Sequence, residues 1–266
     1  MASDTPPTWH HGLVARWWAE FNREAPELPY LRRAIERSGQ PVLDVGCGTG
    51  RLLLPLLRAR VDADGCDVSA DMIALCRERA AAEGLWPTLL VQAMHEVDPP
   101  RRYRTILVCG AFGLGSTRGQ DEEALARFRD CLEPGGTLVL DNEAPYADAR
   151  RWRQWTKDER AQLPEPWPRA GPRDRAADGS EYSLRARLLE VDPLDQRLDL
   201  EMRAELWRDD RLVSEETHRI AVRLYFRDEL LLLLERAGFH DVAVHGDHRD
   251  EAATADSEFL VFAARR

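Results

Sequence analysis

The segment Val42-Leu-Asp-Val-Gly-Cys-Gly-Thr-Gly50 places Gly46, Gly48 and Gly50 directly after a short apolar run. Glycines are needed where a backbone must turn sharply and approach a ligand with no Cβ in the way. Asp67 ends a second apolar run 21 positions after Gly46, where a carboxylate can accept both hydroxyls of a ribose. Two further pieces follow in order, Ser69-x-x-Met72 and Glu133-Pro-Gly-Gly136. A glycine loop alone would mark only a tight strand-to-helix turn. The loop, the spaced acid and the two later pieces together point to a bound ligand that carries a ribose.

Strands and helices must alternate to position these groups. Residues 41–45 read as a strand and 49–60 as a helix, with a kink expected at Pro55, which lacks a backbone donor. Residues 63–68 read as a second strand, and Ser69 as the N-cap of a helix reaching Glu83, with Asp71 in its first turn. Residues 88–92 and 105–109 read as strands three and four. Asp121 is the expected cap of a helix that buries Leu125, Phe128 and Leu132, and residues 133–136 turn into a strand over 137–141. Near the C-terminus a helix over 228–237 ends at Gly238, and two strands follow near 240–245 and 258–263. This alternation predicts an α/β fold, a doubly wound, mostly parallel seven-stranded sheet with helices on both faces.

Residues 148–225 interrupt that rhythm. A helix is expected over 148–162, then a loop over 163–178, after which the apolar period becomes 2. Leu198, Leu200, Met202, Ala204 and Leu206 share one face, with Leu184, Ala186 and Leu188 before them and Ile220, Val222, Leu224 and Phe226 after. These runs predict a three-stranded antiparallel sheet inserted into the main domain, which itself comprises residues 1–147 and 226–266.

The motif set resembles that of the class I S-adenosylmethionine-dependent methyltransferases, whose glycines follow G-x-G-x-G rather than the dinucleotide G-x-G-x-x-G. The match covers residues 40–145 by motif. The resemblance implies a Rossmann-like domain that binds S-adenosylmethionine and yields S-adenosylhomocysteine. It implies that Asp44 and the loop Gly46, Cys47, Gly48, Thr49, Gly50 and Arg51 hold the methionine part. Asp67 would take the ribose; Val68, Met72, Ala93 and Met94 would line the adenine; Cys109 and Gly110 would sit beside the sulfonium. One departure is that relatives often carry an acid where this chain has Ala93, so backbone groups or Gln92 must hold the adenine amine. Without their motif positions, Met72 and Met94 would read as core filler.

Methyl transfer is an in-line displacement in which the enzyme mainly aligns the partners and excludes water. A general base is needed only if the acceptor must lose a proton, and Glu143 and His11 are the candidates. Trp17, Trp18, Phe112, Asn142, Tyr146 and Trp152 are the candidate acceptor contacts: Trp17 and Trp18 lie on an N-terminal helix that closes over the cofactor in similar enzymes, and the others follow strands four and five or lie in the insertion. Asp141-Asn142 matches one element of metal-dependent relatives, but no acid follows strand four, so no metal is expected. His240, His245 and His248 read as solvated. The insertion is expected to wall the acceptor site. Residues 150–175 carry eight basic and four acidic residues among Trp152, Trp155 and Trp167, which leaves a tRNA or protein acceptor as the alternative to a small molecule. A non-catalytic cofactor-binding protein, or an insertion that serves dimerisation, is the alternative of a different class.

The composition agrees with a soluble enzyme. The chain has 266 residues, is 44% hydrophobic and 32% charged, and carries a formal net charge of −10, which argues against broad nucleic-acid binding. No apolar run is long enough to cross a membrane. The N-terminus lacks the pattern of a secretory signal, and the five cysteines never form a C-x-x-C pair, so reduced thiols and a cytoplasmic monomer or homodimer are expected.

Overall fold

A computed structural model describes residues 8–169 and 171–266; residues 1–7, where the absence of a secretory signal was read, lie outside the described residues. Five strands come first: β1 (Val42–Val45), β2 (Ala63–Asp67), β3 (Leu89–Val91), β4 (Tyr103–Val108) and β5 (Leu132–Glu143). Four more belong to the insertion: β6 (Asp174–Arg175), β7 (Glu181–Asp192), β8 (Arg197–Arg208) and β9 (Arg211–Arg223). Strands β10 (His240–Gly246) and β11 (Phe259–Arg265) close the chain. The main sheet has seven strands in the order β10-β11-β5-β4-β1-β2-β3. It is parallel except for β11, which runs antiparallel to both β5 and β10.

The helices are α1 (Gly12–Phe21), α2 (Leu28–Ser38), α3 (Leu53–Arg58), α4 (Ala70–Ala82), α5 (Arg118–Cys131), α6 (Ala149–Arg153), α7 (Lys157–Arg160) and α8 (Arg227–Arg236). Central strands covered on both faces must be apolar at successive positions, and these are. Leu43, Ile106, Val108, Leu138 and Leu140 face α5 and α8, where they meet Leu125, Phe128, Leu230 and Leu234. Val42, Leu107, Val139 and Val261 face the other way, onto Tyr30, Leu31 and Ile35 of α2, Leu53 of α3 and Ile73 of α4.

Several elements differ from expectation. The helix after the glycine loop is only six residues long, so Pro55 sits in its first turn, where its missing donor has no partner to lose, and no kink is required. Helix α5 is capped by Thr117 through a capping box with Gln120; Asp121 lies inside the first turn, buried, and accepts bonds from the hydroxyls of Ser116 and Tyr225, both at 2.5 Å. The helix expected over 148–162 is two, α6 and α7, separated by a turn that packs Trp155 beside the cluster of Leu188, Val191, Leu198 and Leu224. The inserted sheet has four strands rather than three, because the two-residue β6 pairs with β7.

The two faces of the inserted sheet have distinct neighbours. Its apolar face, with Tyr182, Met202, Ala204 and Leu206, carries Leu13, Val14, Trp17, Trp18 and Phe21 of α1. Its polar residues pair across strands, Glu201 with Arg187 (2.6 Å) and Arg219 (3.0 Å), and Glu205 with Arg185. Trp167 lies between the guanidinium groups of Arg187 and Arg203, at 4.5 and 4.6 Å.

Arg223 joins the insertion to the main domain. It is 5% exposed, donates to the Asp195 carboxylate at 2.7 Å and lies 3.8 Å from Asp121. Asp121 is buried beside it while the Asp195 side chain is 38% exposed, so removing the guanidinium leaves one buried acid uncompensated, a cost of about 3 kcal/mol. Arg223→Ala is therefore expected to lower the melting temperature by about 10 °C. A fall of less than about 2 °C would show that the cluster adds nothing to stability.

Candidate active site

The carboxyl ends of β1, β2 and β4 open onto a cavity of about 400 Å³. Open parallel sheets bind ligands at this edge, where the strand order reverses. The loop after β1 is pinned by the Gly46 and Cys47 amides, which both donate to the Cys66 carbonyl, at 2.8 and 3.0 Å. Gly46 has φ +73°, and a Cβ there would lie 2.5 Å from the Ala111 Cβ. At Gly48 (φ +52°) a Cβ would meet no atom within 4 Å, so this backbone borders open space on the cavity wall.

Asp67 is the acid of this edge. Its Oδ2 accepts from the Gly48 amide at 2.9 Å and its Oδ1 from the Ser69 amide at 2.8 Å, and each oxygen keeps a further lone pair. Burial raises its pKa, opposed by those two amide bonds. Ser69 caps α4 by accepting from the Met72 amide at 3.2 Å, and its hydroxyl donates to the His10 carbonyl at 2.5 Å. Opposite, the loop after β4 is fixed by Asp141, whose Oδ1 accepts from the Gly110 amide at 2.6 Å and whose Oδ2 bonds His248 at 2.9 Å.

Of the residues expected to hold a cofactor, Gly46, Cys47, Gly48, Thr49, Arg51, Asp67, Val68, Met72, Ala93, Met94, Cys109 and Gly110 all line the cavity. Gly50 does not; it packs against Leu54 and Cys76 behind the loop. Asp44 does not either. It is buried in β1 with its Oδ2 unpartnered, and burial pushes its carboxyl up to about 7 despite the opposing charge of Arg51. Gln92 lines the cavity, and its side-chain oxygen accepts from the Asp98 amide at 3.1 Å and keeps one further lone pair.

The candidate acceptor and base residues are dispersed. Trp18 lines the cavity. Trp17 faces the insertion and donates to Asp174 at 2.7 Å. Phe112 is buried against Tyr225, and the Asn142 amide donates to the Tyr225 carbonyl at 2.8 Å. Tyr146 and Trp152 pack on Phe226, and Glu143 pairs with Arg151. The His11 ring packs against His218 with centroids 4.0 Å apart, and burial lowers its pKa. Of the late histidines His240 is exposed as expected, whereas His245 bonds the Tyr30 hydroxyl at 2.8 Å and His248 bonds Asp141. Among the described residues no group of three or more His, Cys, Asp or Glu side chains could hold a metal ion.

Sequence reasoning missed other lining residues, among them Thr8, Trp9, His10 and Asn22 from the N-terminal cap, and His95, Ser116, Gln120 and Asp121 from the far wall. His10 bonds Thr8 through Nδ1 at 2.9 Å and accepts from the Trp9 indole through Nε2 at 3.0 Å; burial pushes its pKa down to about 4, so it is neutral. The capping box turns the Gln120 oxygen toward Thr117, so its amide nitrogen faces His95 Nε2 at 3.2 Å. A capping signature was legible at Thr117 and Gln120; nothing local marked the others.

These residues fit S-adenosylmethionine. A buried carboxylate oxygen lacks a partner, a glycine backbone borders open space, and an acid with free lone pairs stands on the cavity wall. Residues 42–136 match the family model described as a methyltransferase domain. The dTDP-3-amino-3,6-dideoxy-alpha-D-glucopyranose N,N-dimethyltransferase of Streptomyces fradiae is 31% identical over 126 residues, 46% of this chain and 47% of that protein. The CcbJ methyltransferase of Streptomyces caelestis superposes with a TM-score of 0.71 at 21% identity, covering 97% of this chain and 98% of the other. An amino pentose methyltransferase of Micromonospora echinaspora, solved with bound S-adenosylmethionine, gives 0.61 at 19% identity and 95% coverage of both chains. The chain spans about half the length of the curated relatives it matches.

Proposed function

We propose, from the premise that residues 42–136 form a class I S-adenosylmethionine-dependent methyltransferase domain, that the protein methylates a nitrogen or oxygen of a small molecule. The observation that carries this reading is the joint placement of the glycine loop and Asp67 on one cavity wall. When bound, the cofactor supplies a methyl group already activated by its sulfonium. Gly46, Cys47, Gly48, Thr49 and Arg51 border the methionine end, and Asp44, buried beneath the loop, attracts its positive charge. Asp67 accepts the ribose hydroxyls, and Val68, Met72, Ala93 and Met94 enclose the adenine. Trp18 and His10 roof the cavity and exclude water, which strengthens every polar contact beneath them.

An amine is the favoured acceptor. Glu143 and His11, the two candidate bases, do not line the cavity, and an amine that arrives as the free base needs no base from the enzyme. The amino-sugar N,N-dimethyltransferase and the amino pentose methyltransferase that the chain resembles fit that chemistry. The basic residues of 150–175 are partly engaged within the chain, Arg151 with Glu143 and Arg173 with Glu181 and the Trp207 ring, which weakens the case for an RNA or protein acceptor. Five buried thiols fit a cytoplasmic enzyme, acting as a monomer or homodimer; no helix among the described residues is long and apolar enough to cross a membrane.

The test is transfer from methyl-labelled S-adenosylmethionine to a panel of nucleotide-linked amino sugars, their hydroxyl counterparts, tRNA and total protein. Label is expected in the small-molecule amines. Label confined to tRNA or protein would overturn the reading.

A further inference from the structure

Helix α1 roofs the cavity, and its N-terminus is gripped from two directions. The Gly12 amide donates to Asp71 Oδ2 at 2.7 Å, from the first turn of α4 in the main domain. The Leu13 amide donates to Glu216 Oε2 at 2.8 Å, from β9 of the insertion. His11, the helix N-cap, makes no side-chain capping bond of its own, so these two carboxylates satisfy donors that the helix cannot. Glu216 Oε2 also bonds His218 Nε2 at 3.0 Å, and the His218 ring packs on His11. The fit is tight: Gly12 has φ +56°, and a Cβ there would lie 2.2 Å from Glu216 Oε2.

The grip connects to the cavity through short paths. Trp18 and Asn22 line the cavity from α1 and its C-terminal end, and Thr8 to His10 line it from the segment before. The His10 carbonyl is held by Ser69, whose amide in turn bonds Asp67. On the other side, α1 is tied to the insertion by Trp17 on Asp174, by Glu20 accepting from the Ala177 amide at 3.2 Å, and by the apolar cluster around Met202 and Leu206. No residue of β6–β9 lines the cavity itself.

We propose that Glu216 is a positioning residue for methyl transfer: the inserted sheet acts on the cofactor site by seating α1, with Glu216 and Asp71 as the clasp that sets the roof over the cofactor. The inserted sheet is then a platform for the cap rather than an acceptor wall. This rests on the reading of the cavity as the cofactor site.

The test uses the full chain and S-adenosylhomocysteine, measured by calorimetric titration, stopped-flow release and amide exchange. Glu216→Ala is expected to weaken affinity about tenfold, chiefly through faster release, since the Leu13 amide at the start of α1 loses its acceptor. Amides of residues 12–18 in the liganded protein should exchange faster. Glu216→Gln, which keeps an oxygen acceptor for the Leu13 amide, should restore affinity to within about threefold. Asp71→Ala, an exposed change on the main-domain side, should move release in the same direction. Unchanged affinity and release in both alanine variants would overturn the proposal. So would a loss in Glu216→Ala that the glutamine variant fails to rescue, since that pattern marks a purely structural defect. If the wild-type chain does not bind S-adenosylhomocysteine, the cofactor reading fails instead.

Discussion

Asp67→Ala is expected to weaken S-adenosylmethionine binding by at least about a hundredfold in calorimetric titration. The carboxylate has two functions at once. It fixes the glycine loop through the Gly48 amide and the start of α4 through the Ser69 amide. Its remaining lone pairs are the cavity acceptors proposed for a pair of ribose hydroxyls. Each hydrogen bond to a charged group is worth about 1.5–3 kcal/mol. Losing two such contacts with the ligand therefore removes roughly 3–6 kcal/mol, and about 1.4 kcal/mol is a factor of ten. Asp67→Asn keeps one oxygen and replaces the other with a donor, so it should fall between, near tenfold. The melting temperature of the unliganded alanine variant should fall by a few degrees, because the freed Gly48 amide lies at the cavity wall, where water can reach it, whereas Ser69 is buried and its amide is left without an acceptor. Affinity equal to wild type in Asp67→Ala would remove Asp67, and the ribose assignment with it, from the site.

What could be read in advance follows the range of the interactions involved. The main sheet was legible because each central strand meets two covering layers and so must be apolar at successive positions, as in Val42, Leu43 and Val45 or Ile106, Leu107 and Val108. The glycine loop was legible because its constraint is local: only glycine adopts φ +73° beside Ala111 without a clash. The period-2 pattern of the insertion showed that one face is apolar. It could not show that α1, nearly two hundred positions earlier, lies against that face. Asp121 illustrates the same limit. Its residue type suits a cap, yet Thr117 and Gln120 complete the cap one turn earlier, and Tyr225, distant in sequence, holds Asp121 as a buried acceptor. Phe112, Asn142, Glu143, Tyr146 and Trp152 were placed near the carboxyl edge of the sheet or in the insertion. Their partners, Tyr225, Phe226 and Arg151, turn them toward other contacts than the cavity. His10 was missed for the converse reason, since its burial under Trp18 and its tie to Ser69 exist only in the folded chain.

Asp44→Asn is expected to stabilise the unliganded protein above pH 7 while removing the pH dependence of cofactor binding. Burial raises the Asp44 carboxyl from 3.8 to about 7, with Asp67 and Glu27 adding to the rise and Arg51 opposing it. A carboxylate whose folded pKa is raised binds more protons in the folded state than in the unfolded one. Stability is therefore greatest below about pH 4 with respect to this group, and falls as pH rises through about 7. A shift of roughly three units corresponds to about 4 kcal/mol at most, and relaxation around a real site should leave about 2 kcal/mol to be regained by the neutral asparagine. The gain should appear as a higher melting temperature at pH 8 and vanish near pH 4. A cationic ligand reverses the sign, because it favours the ionised form that the empty site disfavours. Cofactor affinity of the wild-type chain should thus rise about tenfold per pH unit up to about 7 and then level, with a proton released on binding at neutral pH. In Asp44→Asn the affinity should be low and flat across the same range. A flat profile in the wild type, or an asparagine variant less stable than wild type at pH 8, would show that Asp44 is ionised and satisfied before the cofactor arrives. The orphaned Oδ2 is the structural reason to expect otherwise: a buried oxygen without a donor favours the neutral carboxyl until a positive charge comes near.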